Sequence, residues 1–193
     1  PGFRLTDREE RLMRYRCHHP NRPIVRRGFT LIESALATVI IGTGVLAMVA
    51  AQQTFHRQND WAQRSANAMR LAGEIRELTL NMPSHDPVTG VEFWGPEPNE
   101  TLVEDWDDID DFDNAVFSFD LGNGPITAMR TPFAAMPGWA QRVIVSNVDP
   151  FDIGITLPNG TSEMLRVEVI VEYQGPIDLE PTEITRLIWI QPR

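Results

Sequence analysis

Residues 26–51 read RRGFTLIESALATVIIGTGVLAMVAA, and the architecture of the chain turns on how they are taken. From Leu31 to Ala51 the stretch carries a single charge, Glu33. About 20 apolar residues, wound as a helix, match the roughly 30 Å hydrocarbon thickness of a bilayer, so one membrane crossing is expected over 31–51. Arg22, Arg26 and Arg27 stand before it, which assigns the preceding end to the cytoplasm because cytoplasmic flanks are enriched in arginine. No small-x-small cleavage pattern follows the run, and the run is longer than a secretory signal core.

The helical pattern continues past the apolar run. Residues 52–82 hold no proline, and Leu71, Ile75, Leu78 and Met82 recur at steps of four, three and four, with Phe55, Ala62 and Met69 extending the stripe upstream. Pro83 is the stop signal. One helix over 29–82 is therefore expected, about 80 Å long at about 1.5 Å per residue, with its first half in the membrane and its stripe packed on a further element. Residues 83–114 read as loop, punctuated by Pro83, Pro87, Gly90, Gly95, Pro96 and Pro98. Beyond them the period changes to two. Strands are expected over 115–119, 141–148, 165–173 and 183–190, and Ile153, Ile155 and Leu157 alternate towards Asn159-Gly160, a hairpin signal. The fold class is thus α+β: a long N-terminal helix on a small antiparallel β-sheet of three to five strands.

Charge divides the chain. Residues 1–28 carry eight arginines against three acids, and residues 29–193 carry nine arginines against 24 acids. A basic leader precedes an acidic body, and an acidic body argues against direct nucleic-acid binding, which needs clustered cations. The single cysteine, Cys17, lies in the leader, so residues 29–193 hold no disulfide. The organisation is a basic leader over 1–28, the helix over 29–82 with its membrane segment at 31–51, and an acidic loop region and sheet domain over 83–193.

Gly28-Phe29-Thr30-Leu31-Ile32-Glu33, with arginines before it and an apolar helix after it, resembles the processing site of type IV prepilins and of type II secretion pseudopilins. The resemblance implies a pilin-like fold and a non-enzymatic role as a minor pilin or pseudopilin. A prepilin peptidase would cut between Gly28 and Phe29 and methylate the amine of Phe29. Glu33 would then pair with that amine on a neighbouring subunit during assembly. The implied partners are the peptidase, other pilin or pseudopilin subunits, an inner-membrane assembly platform and membrane lipid. The implied location is the bacterial inner membrane, single-pass with the N-terminus cytoplasmic, and then an extracytoplasmic filament. The missing cysteine pair and the acidic body point to a minor rather than a major subunit, since like-charged copies repel in a homopolymer. The other function class open to the sequence is an unprocessed single-pass anchor carrying an extracytoplasmic binding module.

Residues 104–113 are the second conspicuous stretch, EDWDDIDDFD. Trp106, Ile109 and Phe112 fall every third residue, so a helical turn or a 3₁₀ segment would gather them on one side as anchors. The seven acids would then face water. They form either a solvated acidic face or a site for calcium or a basic partner, with Asp105, Asp107, Asp108, Asp110, Asp111 and Asp113 as the candidate calcium ligands. An EF-hand register fails, because Ile109 or Phe112 would occupy its fifth position and no glycine its sixth. No other cofactor is indicated. Ser84-His85-Asp86 is consecutive, unlike a triad assembled in space, and His85 reads as a solvated loop residue.

Overall fold

The computed structural model describes residues 28–192 apart from 87, 89, 91 and 92, so the basic leader, with Arg22, Arg26 and Arg27, lies outside the described residues. One long helix, α1 (Leu31–Thr79, 49 residues), is followed by a 3₁₀ turn (Asp110–Phe112) and four strands. These are β1 (Val116–Ser118), β2 (Trp139–Asn147), β3 (Met164–Tyr173) and β4 (Thr182–Pro192). The chain divides into two compact units, one ending at Ala51 and the other starting at Gln52.

In the first unit α1 is long and apolar enough to cross a membrane by length and composition. The hydroxyls early in it are satisfied within the helix. The hydroxyls of Ser34, Thr38 and Thr43 donate to the carbonyls of Thr30, Ser34 and Val39, four residues back, at 3.3, 2.9 and 3.0 Å. Such internal pairing is what hydrocarbon demands of a hydroxyl. The helix runs without interruption through Gly42 and Gly44.

In the second unit α1 contributes Ala68, Leu71, Ala72, Ile75 and Thr79 to the core. Leu78 and Met82 pack at its edge as the stripe predicts, but Phe55, Ala62 and Met69 are exposed. Small residues complete the buried face instead: Ala68 and Ala72 flank Leu71 and Ile75 and allow close approach. The helix also ends at Thr79, short of Met82. Pro83 disfavours helical backbone at the residue before it, and the Thr79 hydroxyl closes the last turn on the carbonyls of Ile75 and Arg76 at 3.1 and 3.2 Å.

The sheet is an antiparallel meander, in the order β1-β2-β3-β4. Its inner face is set by the register: Val167 lies between Val145 and Trp189, and Val169 between Val143 and Leu187. β2 alternates between buried and half-buried along its whole length, the signature of a strand with one covered face. The other face carries ion pairs, Arg142 with Glu172 at 3.6 Å and Arg186 with Glu168 and Glu183. One polar side chain crosses the core. Fully buried Gln141 donates from Nε2 to the Leu71 and Ile126 carbonyls at 2.8 and 3.1 Å, and its Oε1 accepts the Ile126 amide at 2.7 Å. Glu74 adds a second link, accepting the Ala128 amide at 2.8 Å.

The segment with Ile153, Ile155 and Leu157 is not a strand; only an isolated bridge, Val148 to Thr156, forms there. Asp149 and Asp152 accept the amides of Phe151 and Gly154 at 2.8 and 3.0 Å, and these local bonds fold the chain into turns. The hairpin therefore joins β2 to β3 through a long loop, which Asn147 pins by bonding Ser162 and Thr161.

Candidate functional site

Two places bear on function, and the first is the start of α1. Gly28, Phe29 and Thr30 precede the helix as non-helical, exposed backbone. Thr30 caps it: its hydroxyl accepts the Glu33 amide at 3.3 Å and its carbonyl accepts the Ser34 amide at 3.1 Å. Thr30-Leu31-Ile32-Glu33 has the spacing of a capping box, so the acid sits where the helix dipole favours a negative charge. Glu33 is exposed, one turn from the Gly28–Phe29 peptide bond.

The second is the acidic segment, where Asp110–Phe112 forms a 3₁₀ turn, one of the two conformations the three-residue spacing allowed. Ile109 and Phe112 are fully buried, and Trp106 packs edge-on against Phe112 with ring centroids 4.9 Å apart. That anchoring drags the intervening acids inward. Contrary to the expectation of seven solvated acids, Asp108, Asp110 and Asp111 are only 2, 2 and 1 % exposed. Glu97 and Glu100, from the loop between Gly95 and Thr101, join them at 7 and 8 %. His85, expected in solvent, is buried too and meets Asp110 with Nδ1 to Oδ1 at 3.1 Å.

The acids divide by what they touch. Asp110 accepts from His85 and from the Gly95 amide at 3.4 Å. Asp113 accepts the Trp94 indole N–H at 3.0 Å and the Val145 amide at 2.9 Å, tying the segment to β2. Asp105 is exposed and accepts the Leu102 amide at 3.3 Å. These three are occupied in holding the loop. Asp111 is different. Its Oδ2 accepts the amides of Asp107 and Asp108 at 3.0 and 3.2 Å, while its buried Oδ1 has no hydrogen-bond partner. Carboxylate oxygens of Glu97, Glu100 and Asp111 lie within 4.8 Å of one another, and so do those of Asp107, Asp108 and Asp111.

No protein-family model, curated protein or solved structure matches this chain.

The electrostatics of the cluster follow from its burial. Removal from water raises Glu100 and Asp108 to about 8, helped by the hydrogen bond to Glu97 in one case and to Asp110 in the other. Asp110 and Asp111 rise to about 6, again chiefly through burial; the hydrogen bond to Asp108 opposes the rise of Asp110 and the charge of Asp111 adds to it, while the charges of Asp108 and Glu97 add to that of Asp111. Burial raises Asp107 as well, followed by the charges of Asp86 and Glu97, while the Arg130 guanidinium opposes the rise. Five acids thus hold protons more tightly than carboxyls in water, because ionising them together in a dry place is costly.

Of the calcium candidates read from sequence, the structure brings together Asp107, Asp108 and Asp111; Asp105, Asp110 and Asp113 serve the loop. Glu97 and Glu100 were missed. They lie in a Pro-punctuated loop seven and four residues before the acidic run, at no spacing that links them to it. The one available signal was local: Glu97-Pro98-Asn99-Glu100 places two acids three apart in a turn, where the Glu97 amide reaches Glu100 Oε2 at 3.2 Å.

Proposed function

We propose that this chain is a filament subunit of the type IV pilin and pseudopilin class, made as a prepilin, cut after Gly28 and assembled in a minor role. The observation that carries the reading is the contiguous string Gly28-Phe29-Thr30-Leu31-Ile32-Glu33 at the junction of an arginine flank and an apolar helix. Three features of the fold support it. The Gly28–Phe29 bond lies in non-helical backbone, as a peptidase cleft requires. The side chains of 31–51 are exposed throughout, so the span has apolar surface to give first to lipid and then to neighbouring helices. A four-stranded sheet follows on the same chain as an acidic head.

In this reading the arginines hold the leader in the cytoplasm, and cleavage creates a positive amine on Phe29. Glu33 sits one turn away with its hydroxyl-bearing neighbours already bonded within the helix, so its carboxylate is the group left to recruit a charge. It pairs with the Phe29 amine of another subunit, which fixes the axial register of the incoming chain. The role is structural, with no reaction catalysed. Mass spectrometry of the native N-terminus tests the processing: a methylated Phe29 is expected, and a retained leader would instead support the unprocessed membrane-anchored binding module. Glu33→Ala tests the pairing. Insertion and cleavage should be normal and incorporation into filaments poor; normal incorporation refutes the pairing.

A further inference from the structure

From the carboxylates that converge on Asp111, we infer a binding site for one hard divalent cation of calcium's class, with Glu97, Glu100 and Asp111 as protein ligands and Asp107 and Asp108 on its open side. The inference concerns the second unit alone and stands whether or not the chain is a filament subunit.

Four observations carry it. First, Asp111 is 1 % exposed and its Oδ1 has no hydrogen-bond partner. A buried carboxylate oxygen left unsatisfied is costly, and a cation is the natural occupant of the space it faces. Second, the spacing fits. Calcium binds oxygens at about 2.3–2.6 Å, so ligands on opposite sides of the ion stand about 4.6–5.2 Å apart. The oxygens of Glu97, Glu100 and Asp111 fall within 4.8 Å of one another. Third, the donors are all carboxylate oxygens, which suit calcium, magnesium or manganese and not the softer metals that seek nitrogen and sulfur. These ligands come from a loop and a 3₁₀ turn, and calcium tolerates irregular geometry where magnesium does not. Fourth, the cluster is both buried and restrained. Asp111 Oδ2 is held by the Asp107 and Asp108 amides, Asp108 accepts the Asp111 amide at 3.2 Å, and Glu100 accepts the Glu97 amide. The ligands are thereby pre-oriented, while exposed Asp107 leaves a path from solvent.

The competing account is that shared protons, rather than a metal, hold the cluster together. The full chain in detergent micelles, stripped with chelator, separates the two by calorimetric titration with calcium chloride and by terbium luminescence excited through tryptophan. Saturable binding is expected, with a dissociation constant of about 10⁻³ M or tighter. Asp111→Asn should weaken it by at least the ~10–100-fold that follows loss of outer-shell partners. It should also melt no lower than the parent chain in chelator, because it removes a buried charge while its amide oxygen can still accept the loop amides. Glu100→Gln carries the same binding expectation should Asp111→Asn fail to fold. Asp105→Asn, in the acidic run but outside the site, should bind as the parent does. No saturable uptake at millimolar calcium, or binding retained in both Asp111→Asn and Glu100→Gln, overturns the inference.

Discussion

At the scale of single residues, the carboxyls around Asp111 act against the fold at neutral pH when no cation is supplied. Their proton affinities in the folded chain lie above the usual carboxylate range, so the folded state holds protons that the unfolded chain would release. Stability from such groups is fully present below their unfolded values and is lost as pH rises through their folded ones. In chelating buffer the melting temperature should therefore fall as pH rises through the window from about 6 to about 8. Asp111→Asn should flatten that slope. A melting temperature that is level or rises across the window would contradict the assignment of these acids as buried and strained. Gln141 is the opposite kind of buried polar residue. Each polar atom of its amide has a partner, and it ties the helix to the loop at Ile126.

At the scale of elements, the entry to β2 depends on Gly138. Its φ of +75° lies in the left-handed region, and a Cβ built there would stand 2.1 Å from the Gln174 carbonyl oxygen. The close approach exists because the Gln174 amide bonds the Gly138 carbonyl at 2.8 Å, closing the sheet beyond Trp139 and Tyr173. Gly138→Ala should cost at least about 1–3 kcal/mol, read as a lowered denaturation midpoint, and unchanged stability would refute this role. That glycine could not be singled out from its neighbours in sequence, whereas β2, β3 and β4 could, because one covered face imposes a period of two. The apolar span and the 3₁₀ anchors were legible for the same reason: their spacing repeats. What spacing did not convey was competition. Ile153 to Leu157 alternates like a strand, but two aspartates captured its backbone; Phe55 and Met69 continue the stripe yet stay more than half exposed. The acidic site was half legible. Asp107, Asp108 and Asp111 share a turn, but Glu97 and Glu100 reach them only through tertiary folding.

At the scale of the whole molecule, an arginine-flanked apolar helix and an acidic head are joined in one chain. The side chains over 31–51 are exposed, on a helix long and apolar enough to cross a membrane by length and composition. The order in which the strands pair has a further, kinetic consequence. Every pairing in the meander joins sequence neighbours, while the bond from Gln141 to Leu71 closes a separation of 70 residues. Loop closure grows costlier with length, so the hairpins hold the early nucleus and docking of the helix follows the rate-limiting step. Val169→Ala should then slow folding, whereas Leu71→Ala should mainly speed unfolding. The reverse pattern would show that the helix is the template. A head that nucleates on its own strands asks nothing of the helix, which is synthesised before them, until those strands have paired.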